Sequence, residues 1–230
     1  MKILAIDTAT EACSAALYID GLITDQYQFA PREHTKLILT MIESLLDDAA
    51  IKVSDLDALA FGRGPGSFTG VRIATGVIQG LAFASDLPVV PVSTLASIAQ
   101  LAYENHKHES VFAGIDARMG EVYWACYHLG DNGLMKLAGE EKVSSAQNVT
   151  LVGQGTSEWS GAGSAWKTYE VELKESLGEQ ITYIYEDYFP HSATIVKLAA
   201  DAFKQGKALE ASQALPVYLR NDVAKKKADQ

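Results

Sequence analysis

The chain has 230 residues, 48% of them apolar and 21% charged, with a formal net charge of -10. This composition folds around a sizeable core and excludes a surface that is basic throughout, as a general nucleic-acid or anionic-membrane platform requires. Two cysteines, Cys13 and Cys126, stand far apart without ligand spacing, which argues against a disulfide framework or a cysteine-based zinc site.

The opening "MKILAIDTAT" holds an apolar run too short for a signal-peptide core. Residues 2–7 read instead as a buried strand ending in a carboxylate. No apolar stretch is long enough to span a membrane, so a soluble cytoplasmic protein is expected. Residues 12–29 read as two strands joined at Asp20-Gly21, a pair that supplies the positive φ of a tight hairpin. Residues 34–50 change period. Leu37, Met41, Leu45 and Ala49 recur every four residues, with Ile38, Ile42 and Leu46 beside them and Lys36, Thr40, Glu43 and Asp47 opposite. This predicts an amphipathic helix. A short strand over 57–64 runs into glycines, helices are predicted over 68–84 and 94–105, and a strand lies between them at 87–93. The order implies a mixed sheet with helices on its faces.

Near residue 107 the chain turns polar ("NHKHES"), which suggests two lobes, 1–107 and 108–230. The stretch "VFAGIDARMGEVYWACYHLGDNG" matches "KILAIDTATEACSAALYIDG" in layout: strand, Ile-Asp, turn, alternating strand, polar turn. An internal duplication is favoured over two unrelated edge hairpins. Residues 130–187 are poorly periodic and are expected to be irregular, with 155–166 loop-like. A helix is predicted over 192–206, stopped by Gly206. Pro216–Leu219 reads as a short strand or an extended clasp, and the C-terminal helix and tail are expected to pack back toward the first lobe. Arg220 and Lys225–Lys227 form a basic cluster, which reads as a solvated end or as a contact to RNA phosphates.

The densest motif is "GRGPGSFTGVR", Gly62 to Arg72. No Lys follows Gly70, so it is not a P-loop, and Gly64, Gly66 and Gly70 miss the dinucleotide spacing by one residue. Ser67 fails the nucleophile-elbow pattern. No His-x-x-x-His pair offers a helical metal site. No catalytic residue, cofactor or metal is assigned. Asp7, Thr8, Thr10 and Asp116 are the candidates for a degenerate cleft, although Ala9, Ala117 and Arg118 put side chains where phosphates would need room. The two aspartates read equally well as structural turn residues. In the helix that follows, Gly76, Gly80 and Ala84 recur every four residues, a stripe that lets another helix come close at a cost of about 1 kcal/mol per glycine. With Arg72 and Ile73, and with Leu37, Ile38, Met41, Ile42 and Leu45 of the preceding helix, they make up the candidate partner interface. The helix reads either as a buried core element or as one that also meets a partner.

The segments "ILAIDTATEACSAAL", "PREHTKLIL", "GRGPGSFTGVRIATG", "IDARMGEVYWA" and "PVYLRN" together resemble the bacterial TsaB (YeaZ) family over most of the chain, least from about 135 to 187. The resemblance implies a two-lobed α/β fold of the actin/Hsp70/sugar-kinase type. It also implies a non-catalytic role in forming threonylcarbamoyladenosine in tRNA, next to the anticodon. The implied partners are a related metal-binding catalytic subunit, TsaD, a small ATPase, TsaE, and a second copy of the chain through the same two helices, with tRNA met only inside the complex. Catalytic relatives carry a His-x-x-x-His metal pair where this sequence has Thr94 and Ile98. The alternative is a glycoprotease-like peptidase or weak ATPase acting alone.

Overall fold

The computed structural model describes residues 1–152 and 158–220. The first sheet holds β1 (Lys2–Asp7), β2 (Ala12–Ile19), β3 (Leu22–Phe29), β4 (Ala58–Gly62) and β5 (Val89–Val92) in the order β3-β2-β1-β4-β5. The β1–β2 and β2–β3 pairs are antiparallel; β1–β4 and β4–β5 are parallel. Asp20 and Gly21 turn the β2–β3 hairpin with φ of 49° and 101°, the mirror-image geometry that follows the twist of paired strands.

Strand β1 is buried on both faces, and its alternation sorts two cores. Leu4 and Ile6 face helices α1 (His34–Asp48) and α2 (Phe68–Ser85), meeting Ile38, Met41, Ile42, Leu45 and Ile78. Ile3 and Ala5 face the opposite way, onto Ile195, Val196 and Ala199.

The second sheet holds β6 (Ser110–Arg118), β7 (Glu121–Leu129), β8 (Met135–Ser145), β9 (Trp159–Ala162) and β10 (Ile181–Tyr185) in the order β10-β9-β6-β7-β8. Its antiparallel and parallel pairings repeat those of the first sheet strand for strand. The duplication seen in the two Ile-Asp segments therefore extends to all five strands of each lobe.

The expectation of irregular structure over 130–187 is corrected here: that region carries β8, β9, α4 (Ala165–Leu177) and β10. Strand β8 buries only Met135 of its eleven residues, so its sequence alternates weakly, and β9 is four residues of which two are Gly and Ala. The "loop-like" stretch 155–166 contains β9 and the start of α4. Gly161 serves there as a packing site, because a Cβ on it would collide with the indole of the fully buried Trp166.

Two helices lock the lobes by exchange. Helix α3 (Thr94–His106) follows the last strand of the first sheet but packs through Leu95, Ile98, Ala99 and Ala102 on Val111, Ala113 and Ala125 of the second. Helix α5 (Ser192–Lys204) follows the last strand of the second sheet and covers the first. The helices meet at Ser97 and Thr194, whose hydroxyls lie 2.7 Å apart. Beyond α5 the chain bridges to β5 at Leu209, and Gln79 of α2 donates to the Ala214 carbonyl. It then runs extended to Arg220, the clasp alternative for Pro216–Leu219.

Candidate functional site

Asp7 at the end of β1 and Asp116 near the end of β6 make the same local hydrogen bond. Ala9 N–H donates to Asp7 Oδ1 at 3.0 Å, and Arg118 N–H donates to Asp116 Oδ1 at 2.7 Å. Short carboxylates folded back on the backbone two residues later stabilise tight turns in this way. The first of these turns is also clamped from outside. Ser67 N–H donates to the Ala9 carbonyl at 2.7 Å, and the Thr8 hydroxyl donates to the Gly70 carbonyl at 2.7 Å.

This clamp explains half of the glycine motif. A Cβ on Gly66 would collide with the Ala9 carbonyl, and one on Gly70 with the Thr8 carbonyl. These glycines make room for the chain's own first turn, and the Ala9 and Ser67 N–H groups are spent inside the protein. Ser67 is the N-cap of α2, accepting from Gly70 N–H. Gly76 and Gly80 behave differently: both are exposed, and a Cβ at either would meet no described residue within 4 Å. The stripe they form with exposed Ala84 faces outward, so α2 is both of the things its sequence allows, a core helix on one side and an open face on the other.

Of the other interface candidates, Arg72 is exposed and Ile73 and Leu37 are half-buried beside the open face. Ile38, Met41, Ile42 and Leu45 are buried against the sheet and support this face from beneath. Thr94 donates its hydroxyl to the Pro65 carbonyl and Ile98 is wholly buried.

Between the lobes lies a cleft of about 1070 Å³. Thr10 and Asp116 line it, whereas Asp7 and Thr8, expected on the cleft, are sealed below its surface. Asp7 is fully buried, and its Oδ2 finds no hydrogen-bond partner among the described residues. Burial pushes its carboxyl up to about 7, and the Ala9 N–H opposes that only in part. Gly62 leaves the space in which this carboxyl sits.

Sequence reading missed the side-chain contacts between the lobes. Arg118 of the second lobe pairs with Glu11 of the first at 2.9 Å. Arg63 pairs with Glu141 at 3.2 Å, and Glu141 accepts from the Tyr127 hydroxyl at 3.3 Å. The one available signal was the concentration of arginines in the motifs themselves. The tail closes the cleft edge: Val217 N–H donates to the Arg63 carbonyl at 2.8 Å, and Arg72 Nε donates to Tyr218 Oη at 2.8 Å. Arg220 ends the clasp on Glu121 and the Ala117 carbonyl, with its side chain largely buried. The reading of Arg220 as an RNA-phosphate contact is therefore corrected, since its charge is used within the chain. Lys225–Lys227 lie outside the described residues.

The family model described as "TsaD: tRNA N6-adenosine threonylcarbamoyltransferase" matches residues 26–228. The tRNA threonylcarbamoyladenosine biosynthesis protein TsaB of Escherichia coli (strain K12) is 43% identical, with 99% of this chain and 98% of that one covered. Two solved structures from Pseudomonas aeruginosa are 47% identical, with 95% of this chain and 99% of each of those covered. One is YeaZ, at a TM-score of 0.88, and the other, at 0.89, is described as an uncharacterized protein with similarity to peptidase YEAZ. The transferase model reports shared ancestry of the two-lobed fold, while the near full-length identity is to TsaB. With its two five-stranded sheets of matching strand order, the chain belongs to the bacterial TsaB (YeaZ) family.

Proposed function

We propose that this chain is a non-catalytic subunit needed to form threonylcarbamoyladenosine in tRNA, at the adenosine 3′ of the anticodon. In this reading it holds and activates a metal-binding transferase of the TsaD kind, together with an ATPase of the TsaE kind. The observation that carries the reading is the outer face of α2. Two glycines inside a soluble helix cost about 1 kcal/mol each relative to alanine. No described residue fills the space above them, so close approach by a partner helix is the reason for that cost. Arg72, Ile73, Gly76, Gly80, Ala84 and the edge of Leu37 would meet the partner, and a second copy of the chain would compete for the same face. Thr94 and Ile98 support the non-catalytic assignment, since neither side chain can replace an imidazole on a metal.

The test is reconstitution. Purified transferase, ATPase and tRNA should form the modified nucleoside only when this chain is added. Gly76→Leu and Gly80→Leu should abolish transferase binding in calorimetry while the circular dichroism spectrum stays unchanged. Wild-type affinity in both variants, or modification without the chain, would overturn the proposal. A free-standing hydrolase would instead show steady turnover that is lost on Ser67→Ala.

A further inference from the structure

The sequence has five arginines and fourteen lysines. Four of the arginines, Arg32, Arg72, Arg118 and Arg220, line the interlobe cleft, and no described lysine does. A charge needed only for solubility would be placed without regard to type. The planar guanidinium differs from an ammonium in two respects: it grips oxyanions with a fixed fork, and it stacks on rings. Both uses are laid out here. Arg72 lies 3.6 Å over the Phe68 ring while its Nε is held by Tyr218, which fixes the guanidinium and leaves its terminal nitrogens free of any partner among the described residues. Phe68 and Tyr218 are 52% and 43% exposed, so ring surface remains open beside the fixed cation. Arg118 and Arg220 are paired with carboxylates, whereas Arg32 and Arg72 make no ion pair among the described residues.

Cations interleaved with exposed rings along a groove are how proteins hold single-stranded nucleic acid, the charges tracking phosphates and the rings taking bases. The cleft, at about 1070 Å³, lies at the upper end of the ~300–1,000 Å³ typical of small-molecule pockets and has room for more than one nucleotide unit. In the first turn the Ala9 N–H is already bonded to Asp7, and Ala9 and Glu11 put side chains where a phosphate would sit, which disfavours a phosphate cradle there. We propose that the cleft mouth seats a short stretch of single-stranded RNA, with a phosphate on Arg32 and a base against Phe68 and Tyr218, whose rings are held in place by Arg72 at the rim of the partner face. This inference rests on the tRNA-modifying role proposed above and gives the subunit its own contact with the substrate.

The experiment is fluorescence anisotropy with a labelled uridine dodecamer, on the free chain and on the chain bound to its transferase, over a salt series. Arg32→Gln should weaken binding about tenfold and lower the slope of log affinity against log salt by about 0.7, the loss of one single-strand phosphate contact. Arg32→Lys should keep the slope but not the full affinity. Tyr218→Ala should weaken binding with the slope unchanged. Unchanged affinity and slope in Arg32→Gln would overturn the proposal. So would binding of poly-glutamate, sensitive to Arg32→Gln, in place of RNA; that result would assign the cleft to an acidic polypeptide. Gly80→Leu separates the two readings: it should remove transferase binding while the free chain still binds the dodecamer. If modification proceeds without the chain but Arg32→Gln still weakens RNA binding, the scaffold role falls and the cleft assignment stands.

Discussion

Arg118 and Glu11 meet across the cleft at 2.9 Å, and the same guanidinium holds Asp116 at 2.9 Å. Arg118 does this from a backbone conformation that suits glycine. Its φ is 63°, that of Met119 is 59° and that of Gly120 is 78°. Tight hairpins of this geometry normally carry Asn-Gly or Asp-Gly. The arginine and the methionine are kept there against local preference, and the two carboxylates hold the strained turn in place.

This predicts a compensation. The pair with Glu11 is 70% and 36% exposed at its two side chains, so it contributes at most about 1 kcal/mol. A non-glycine residue at positive φ costs about the same. Arg118→Gly should therefore leave stability to urea nearly unchanged, while Arg118→Ala, which loses the pairs and keeps the strain, should lose about 1 kcal/mol relative to it. Equal stabilities for the two variants would show that the turn carries no strain.

The glycines of the 62–80 region should divide into two classes. Gly66→Ala and Gly70→Ala drive a Cβ into the backbone carbonyls of Ala9 and Thr8, and each should destabilise the fold by about 2–4 kcal/mol. Gly76→Ala and Gly80→Ala meet no described residue and should stabilise it by up to about 1 kcal/mol each. Urea midpoints at constant m-value measure all four.

That division marks where sequence reading stops. Helix α2 was legible from its period, and the glycine stripe from its spacing. Yet one run of glycines held two purposes, and only the position of Thr8 and Ala9, some sixty residues away in sequence, separates them. The first lobe was read nearly element by element because β1, β4 and α1 are buried or strongly two-sided. Strands β8 and β9 escaped because one buries only Met135 and the other has only four residues. The second copy of the duplicated strand order would have placed β9 and β10, had the match been followed past β7. In α4, Trp166, Tyr169, Leu173 and Leu177 do recur at helical spacing. The cleft residues were half legible: Thr10 and Asp116 line it, whereas the burial of Asp7 and Thr8 depends on the clamp from α2.

Asp7 should make the fold more stable in acid than its other carboxylates would suggest. Its carboxyl sits near 3.8 when unfolded and is raised to about 7 when folded. A raised acid favours the folded state fully below pH 3.8, and that contribution is lost as pH rises toward 7. At about 1.4 kcal/mol per pH unit, the loss is on the order of 4 kcal/mol. Asp7→Asn, which keeps an oxygen for the Ala9 N–H, should remove this dependence. The difference in unfolding free energy between wild type and variant should shift in the variant's favour from pH 4 to pH 8. A constant difference would mean that the buried carboxyl does not titrate in this range.

His191 should act in the opposite direction. Its Nδ1 accepts the Ala193 N–H at 3.2 Å and so caps α5, the helix that covers the first sheet, while its ring stacks on Tyr27 at 4.7 Å. Burial pushes its pKa below the usual 6.5, and Asp25, at 3.6 Å from Nε2, opposes the shift in part. A lowered base favours the folded state above pH 6.5, and that stability is lost as pH falls, because protonated Nδ1 can no longer accept from the helix. His191→Asn retains a capping oxygen without a titrating ring. Between pH 7 and pH 5 the wild type should lose stability relative to His191→Asn, read from paired urea titrations. Parallel curves would show that the cap survives protonation.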